Sequence, residues 1–388
     1  MRRPPHASPW RTAFLVYLAA FAAFIAMYLP QPVLPLLARD FGVSPSAAGL
    51  LISALVLSVA FMSLVVAPLS DRVGRKPVLV GCSLLLAGPS LACALAADFT
   101  HLVAMRFLQG ALVPGVLAIS VAYLTEEFAS SRAPVLIGGY ISATVVGGMT
   151  SRLLSGAVSD FLSWRWAFGV SSLFSLSVGL VLLVFLPTST HFHAAKNLGG
   201  AYRGMAAHLR DTRLVGGYLV GSLLFFAFLG LFTYLPFHLA GPPYNFSPLW
   251  IGLVFLVYGA GAVSSPLAGR LARRLQFWQV LVVALLVTLF ANLLTLAPST
   301  GFLIGALLLL CFANFVVQST ATAFVAATAE HDRAGANALY LFFYYVGGSL
   351  GGFLPGLLWP LYGWAGVLAL TVTSLALAVV VALTLCRR

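Results

Sequence analysis

The chain is a series of long apolar runs, interrupted by short segments that carry charged residues, Pro and Gly. An α-helix needs about 20 mostly apolar residues to cross a bilayer, and each run is of that length. Strands of a membrane barrel would have about 10 residues of alternating polarity, which the runs do not show. The pattern predicts twelve transmembrane helices, over 12–38, 46–68, 78–97, 101–124, 134–159, 165–187, 213–239, 248–268, 277–297, 301–325, 334–358 and 363–385.

Composition excludes a soluble protein. Of the 388 residues, 61% are hydrophobic and only 8% are charged, whereas a soluble domain carries about 25% charged residues. A net charge of +12 would suggest a nucleic-acid partner in a soluble chain, but the cations do not cluster with aromatic residues. The four cysteines show no metal-ligand spacing. We therefore predict no cofactor, no metal and no nucleic-acid partner.

Most lysines and arginines lie in the connections on one side of the membrane. On the other side, only Arg39 and Arg165 lie at helix ends. The positive-inside rule then places both termini in the cytoplasm and the chain in the cytoplasmic (inner) membrane. The longest connection falls between helices six and seven. It predicts an N-terminal six-helix bundle over 1–187, a cytoplasmic linker over 188–212 and a C-terminal six-helix bundle over 213–388.

The two halves repeat one another in sequence, which indicates an internal duplication. Three segments recur in the same order, and chance would not produce all three. The matched pairs are Tyr28–Pro30 with Tyr234–Pro236, Pro68–Lys76 with Pro266–Arg274, and Tyr140–Trp164 with Tyr340–Trp364.

Two short motifs carry a resemblance to a known family. Ser70–Lys76 reads Ser-Asp-Arg-Val-Gly-Arg-Lys and resembles the signature loop of the major facilitator superfamily, while Arg106–Gly110 resembles its second motif. The sequence is most similar to the bacterial drug-efflux and sugar-efflux branches. The resemblance implies two pseudo-symmetric helical bundles that rock around a substrate site near the membrane midplane.

The resemblance also implies a cytoplasmic gate. In the family, the aspartate at the position of Asp71 lies against the N-terminus of helix eleven, and the loop arginines contact an acid at the foot of helix four. The gating candidates are Asp71, Arg72, Arg75, Glu126 and Glu127. The alternative is that the cations only anchor the loop at the membrane surface. Helix five departs from the family's exporter motif, because it has Ala143 and Thr144 where that motif has Gly and Pro.

Arg106 and Arg152 lie inside predicted helices, roughly 8 Å and 12 Å below the outer ends. Charges at such depth usually face a bundle interior or a water-filled cavity. The alternative is that backbone carbonyls neutralise them or that they extend towards an outer acid. All nine acids lie at helix ends or in loops, so the cavity should be positive and favour an anionic or zwitterionic solute.

Other polar residues within the helices are candidates for substrate contact, unless they form interhelical hydrogen bonds or an interfacial aromatic belt. These are Tyr28, Gln31, Gln109, Tyr140, Asn314, Gln318, Tyr340 and Tyr344. Proton coupling in the family's drug exchangers uses a buried carboxylate, which this chain lacks. Asp40 and His238 are the remaining candidates for that role.

The sequence therefore predicts an all-α membrane protein that is a secondary active transporter and not an enzyme. We expect a monomer that exports a small organic solute by alternating access, driven by a proton gradient. No ATP-binding loop is present, so the energy must come from an ion or solute gradient. An importer or symporter of a small organic anion is the first alternative, and a non-transporting membrane sensor is the second.

Overall fold

The structure, a computed structural model, describes residues 9–128, 132–189, 205–261, 263, 264, 271 and 274–387. Most of the predicted linker 188–212 and of the repeat segment 266–274 lies outside these residues. The helices are α1 (Pro9–Tyr28), α2 (Leu34–Asp40), α3 (Pro45–Val73), α4 (Arg75–Leu85), α5 (Ala87–Ala94), α6 (Phe99–Glu127), α7 (Ala133–Phe161), α8 (Trp164–Phe185), α9 (Thr212–Ala240), α10 (Pro248–Val254), α11 (Phe277–Leu294), α12 (Thr300–Thr328), α13 (Arg333–Phe353) and α14 (Trp359–Thr384).

The predicted helical membrane fold is confirmed. Ten spans within the described residues are long and apolar enough to cross a membrane, several of them formed by consecutive helices such as α1 with α2 and α4 with α5. Helix α7 has 29 residues, and Pro248–Gly261 is a shorter apolar helix. These twelve segments follow the order of the twelve predicted spans.

The first span breaks where the sequence places several prolines. Helix α1 ends at Tyr28, a 3₁₀ turn covers Gln31–Val33, and α2 completes the crossing. Pro30 precedes that turn and Pro32 lies within it, and a proline removes the N–H that would continue the helical hydrogen bonds. The carbonyl of Ala26 therefore has no helical donor at Pro30, and another group must supply one.

The signature segment is nearly all helix. Asp71 and Arg72 end α3, Arg75 and Lys76 begin α4, and only Gly74 separates the two helices. Gly74 has φ 104°, a backbone conformation that favours glycine. This sharp turn brings charged side chains from two helices to one point at the predicted cytoplasmic end.

The two halves meet along α3 with α13 and along α7 with α10. Ser53 donates to the Ser349 carbonyl at 2.7 Å, and Ser349 donates to the Ser53 carbonyl at 2.9 Å. A Cβ atom on Gly49 would overlap the carbonyl oxygen of Gly352. Close backbone approach between small residues, sealed by hydrogen bonds, is the usual packing of helices in lipid. We call these four residues, Gly49, Ser53, Ser349 and Gly352, the α3–α13 seam; they lie towards the predicted outer ends.

Candidate functional site

Arg152 occupies the middle of the molecule, on α7, where the two halves meet. Its side chain is buried, with 2% exposed. The guanidinium donates from Nε to Gln31 Oε1 at 2.7 Å and from Nη1 to the Gly148 carbonyl at 2.7 Å. A guanidinium has five N–H donors, so donors remain for an anionic partner.

Aromatic rings from both halves surround this guanidinium. Its carbon lies 4.3 Å from the ring centre of Tyr28, 4.5 Å from that of Tyr258 and 5.0 Å from that of Phe255. Each contact is a cation–π interaction, worth about 2 kcal/mol when the pair is desolvated. We call Tyr28, Phe255 and Tyr258 the aromatic cage of Arg152. The cage stabilises the charge without neutralising it.

No carboxylate pairs with Arg152 among the residues that the structure describes. Two carboxylates of that part of the chain, Asp71 and Glu126, form ion pairs with Arg75 instead. Several acids instead cap helix N-termini: Asp98 accepts from the His101 N–H at 2.8 Å, and Asp332 accepts from the Gly335 N–H at 3.0 Å. An unpaired buried cation is costly in lipid, which makes Arg152 a strong attractor for an anion.

Arg106 is fully buried in a different environment, within the N-terminal half. Its guanidinium donates to the carbonyls of Ala26 at 2.7 Å, Leu51 at 2.9 Å and Met27, and to Gln109 Oε1 at 2.6 Å. The Ala26 carbonyl is the one that Pro30 leaves without a helical donor. The placement of Arg106 thus matches the alternative in which backbone carbonyls neutralise a buried arginine. Its described contacts are all with residues of the N-terminal half.

Gln109 extends that internal network, and Tyr140 is also held by backbone. Gln109 donates to Ser90 Oγ at 2.8 Å, and the Tyr140 hydroxyl donates to the Leu117 carbonyl at 3.0 Å. The structure places neither in contact with the aromatic cage. Their described contacts hold helices together.

The C-terminal half contributes a group of aromatic side chains near the centre. Tyr344 stacks on Phe225, with ring centres 4.0 Å apart, and on Tyr340 at 5.9 Å. Phe228 lies 5.3 Å from Tyr258 of the cage. Asn314 is buried and its Oδ1 has no hydrogen-bond partner among the described residues, whereas Gln318 is half-buried.

Three of the five gating candidates, Asp71, Arg75 and Glu126, form one cluster at the junction of α3, α4 and α6. Arg75 lies 2.6 Å from Asp71 and 2.6 Å from Glu126. Glu127 accepts from Ser189 Oγ at 2.7 Å, and Arg72 is exposed. Asp71 contacts Arg75 and not the N-terminus of α13, which Asp332 caps. The cluster therefore lies within the N-terminal half in this conformation.

The proton-coupling candidates lie apart from Arg152. Asp40 is exposed at the end of α2 and accepts a hydrogen bond from Trp164 Nε1 at 2.7 Å. His238 stacks on Trp364 with ring centres 4.6 Å apart and an interplanar angle of 4°. Asp40 and His238 thus contact Trp164 and Trp364, the tryptophans that match in the sequence repeat. The described contacts bring neither candidate to the aromatic cage.

A family model described as Major Facilitator Superfamily matches the chain over residues 16–329 and 242–388. The chain belongs to the major facilitator superfamily. The inner membrane transport protein YnfM of Escherichia coli (strain K12) is 35% identical over 382 residues, covering 97% of this chain and 91% of that protein. The 4-hydroxybenzoate transporter PcaK of Pseudomonas putida is 30% identical over 194 residues, 49% of this chain and 42% of that protein.

The fold is shared with a bacterial homologue of the human lysosomal transporter Spinster, solved in an inward-facing, unoccupied conformation. The TM-score is 0.83 at 16% identity, and the match covers 99% of this chain and 98% of that one. As a member of the major facilitator superfamily, the protein is a multi-pass membrane transporter and not an enzyme.

For a member of the major facilitator superfamily, the α3–α13 seam is a place where movement of the halves can be tested. We expect Gly49→Leu to hold the seam open, because the new side chain would overlap the Gly352 carbonyl and crowd the Tyr234 hydroxyl. Cysteine introduced at Ser53 would then react at least about 10-fold faster with an impermeant thiol reagent, a shift of about 1.4 kcal/mol in the open–closed equilibrium.

The matched control for that measurement is Gly88→Leu, since nothing lies within 4 Å of a Cβ atom added at Gly88. It should leave the labelling rate unchanged. Equal labelling rates for Gly49→Leu and Gly88→Leu would contradict this role of the seam.

Sequence reasoning missed the cage residues Phe255 and Tyr258, and it missed Phe225 and Phe228. They lie in apolar helices where aromatic residues are common, so composition does not single them out. The repeat offered a signal: Arg152 matches Gly352 in the second copy. The charge is therefore present in one half alone.

Proposed function

We propose that the protein transports a small organic anion across the cytoplasmic membrane, with the anionic group bound at Arg152. The observation that carries this proposal is a buried guanidinium at the junction of the halves, with spare donors and no paired carboxylate among the described residues. Guanidinium groups bind carboxylates through two parallel hydrogen bonds. A cationic drug would meet repulsion at the same place.

Gln31 supplies a second donor for the anion. It is fully buried, its Oε1 accepts from Arg152, and its Nε2 has no partner among the described residues. A buried amide N–H without a partner costs about 1–3 kcal/mol. A carboxylate that bridges Arg152 and Gln31 would remove that cost.

The aromatic side chains of the C-terminal half are suited to the apolar body of the solute. Tyr258 lies against Arg152 and contacts Phe228, and Phe225 and Tyr344 form a second stacked pair in the same half. A site with an anion receptor on one side and aromatic rings on the other fits a carboxylate with an aromatic or bulky apolar body. The solute named for the relative PcaK, 4-hydroxybenzoate, has this chemistry.

The test is counterflow in proteoliposomes that contain the purified protein. Acidic, neutral and cationic solutes of similar size are compared, including 4-hydroxybenzoate, benzamide and benzylamine. We expect exchange of the acidic solute and none of the cationic one. Uptake of the cation in preference to the acid would overturn the proposal.

We propose further that transport runs outward and is driven by protons. The outward direction is supported by Gly139, Gly147 and Gly148 of helix five, which match three positions of the family's exporter motif, although Ala143 and Thr144 depart from it. Everted membrane vesicles with an imposed pH gradient test both statements. Accumulation that collapses with the gradient supports them, and uptake into right-side-out vesicles would show an importer.

We propose that the Asp71–Arg75–Glu126 cluster controls the cytoplasmic gate. Asp71→Asn removes the ion pair with Arg75 at 2.6 Å and the charge that the family's gate directs to helix eleven. We expect transport to slow at least about 10-fold, a loss of about 1.4 kcal/mol, while the amount of folded protein in the membrane is unchanged.

Arg72→Gln is the matched control for the gate, because Arg72 is exposed on the same turn. It should transport close to the wild-type rate. Normal turnover in Asp71→Asn, measured in the same vesicles, would reject the gate.

A further inference from the structure

A groove on the lipid-facing surface of the N-terminal half, near its predicted cytoplasmic end, lies apart from the substrate site. It has a volume of about 670 Å³ and is formed by the α3–α4 turn, the first turns of α4 and the end of α8. Val80, Leu84 and Leu183 provide apolar walls, while Lys76, Thr188 and Ser189 lie at its predicted cytoplasmic rim. Apolar exposed neighbours such as Val184 and Leu85 show that this surface faces lipid.

The groove forms between α4 and α8. The two helices are in contact near Gly179, and no side chain fills the space between them near Gly81. A Cβ atom at Gly179 would overlap Leu84, so the helices touch there. Towards the cytoplasm, Gly81 lines the groove, and nothing lies within 4 Å of a Cβ atom at that position. A glycine that packs against nothing leaves an opening between two membrane helices.

The rim has the chemistry of an anion site. Lys76 has no ion pair within the described part of the chain, whereas Arg75 beside it is paired with Asp71 and Glu126. Helix α4 begins after Gly74 with no side-chain cap, and Pro77 in its first turn carries no N–H, so the Lys76 ammonium is the group at this end of the groove that can bind an anion. A free ammonium at a helix start, above an apolar groove, matches a phosphate attached to a hydrocarbon chain.

We propose that this groove binds one anionic phospholipid of the cytoplasmic leaflet. Its phosphate lies against Lys76, since the Ser189 hydroxyl already donates to Glu127, and one acyl chain lies along Val80, Leu84 and Leu183. Basic pockets between membrane helices on the cytoplasmic side bind anionic headgroups in this way. Charge complementarity and the apolar walls together select a lipid rather than a soluble anion.

The test is native mass spectrometry of the purified full-length protein, titrated with phosphatidylglycerol or phosphatidylcholine. Gly81→Phe fills the groove, and Gly88→Phe adds the same side chain to open space on the same predicted span. We expect wild type and Gly88→Phe to retain one tightly bound phosphatidylglycerol, and Gly81→Phe to bind it at least about 10-fold more weakly. Lys76→Gln should lose the preference for phosphatidylglycerol over phosphatidylcholine.

Three results would overturn the proposal. The first is equal phosphatidylglycerol binding by Gly81→Phe and Gly88→Phe. The second is a wild-type protein that retains phosphatidylcholine as tightly as phosphatidylglycerol. The third is displacement of the bound lipid by inorganic phosphate at equal concentration, which would assign the rim to a soluble anion.

Discussion

Replacing Arg152 by leucine is expected to abolish transport of an acidic solute while the protein still folds. The change removes the charge and both hydrogen bonds, to Gln31 and Gly148. Each hydrogen bond to a charged group contributes about 1.5–3 kcal/mol, so a two-point contact with a carboxylate is worth about 3–6 kcal/mol. At about 1.4 kcal/mol per tenfold change, the transport rate at low substrate concentration should fall by at least about 100-fold.

Two further variants make that measurement specific to anion recognition. Arg152→Lys keeps the charge but cannot form the forked contact, so it should raise the half-saturating concentration of the acid more than it lowers the maximal rate. Gln31→Leu removes the second donor and should have a smaller effect of the same kind. Counterflow of an acidic and a neutral solute is measured for each. An Arg152→Leu protein that carries the acid at the wild-type rate would remove the basis for an anionic cargo.

Much of the fold follows from the sequence because hydropathy in a membrane protein is a strong and local signal. Long apolar runs predict spans, and the prolines after Tyr28 mark the break between α1 and α2. Helix ends are less predictable: α3 continues through Pro68 to Val73, beyond its predicted end at residue 68. A turn that consists of Gly74 alone depends on one backbone conformation, which hydropathy does not report.

The site could be predicted only in part, for a physical reason that Arg106 and Arg152 illustrate. Both are single arginines in apolar helices, and their expected depths differ by about 4 Å, less than one helical turn. Their different environments arise from contacts distant in sequence. Carbonyls of α1 and α3 surround Arg106, whereas Arg152 lies against Tyr28 of α1 and against two rings of the 3₁₀ segment Phe255–Tyr258, which follows α10. Sequence periodicity does not encode which half supplies a neighbour across the bundle interface.

The opposite pattern is expected when Arg106 is replaced by leucine. Leucine leaves the Ala26, Met27 and Leu51 carbonyls and Gln109 without their donor, in a fully buried position. An unsatisfied buried acceptor costs about 1–3 kcal/mol. The Ala26 carbonyl is affected most, because Pro30 cannot donate to it. The total loss should reach about 3–5 kcal/mol.

Thermal unfolding of the purified protein, followed by tryptophan fluorescence, measures this loss. We expect Arg106→Leu to lower Tm by several degrees and Arg152→Leu to change it little, since the cage rings can pack against leucine. Arg106→Lys should lie between the wild type and Arg106→Leu, because an ammonium reaches fewer of the four acceptors than a planar guanidinium; it gives a graded reading if the leucine variant does not accumulate. Equal Tm values for Arg106→Leu and Arg152→Leu would contradict the assignment of Arg106 to stability and of Arg152 to substrate binding.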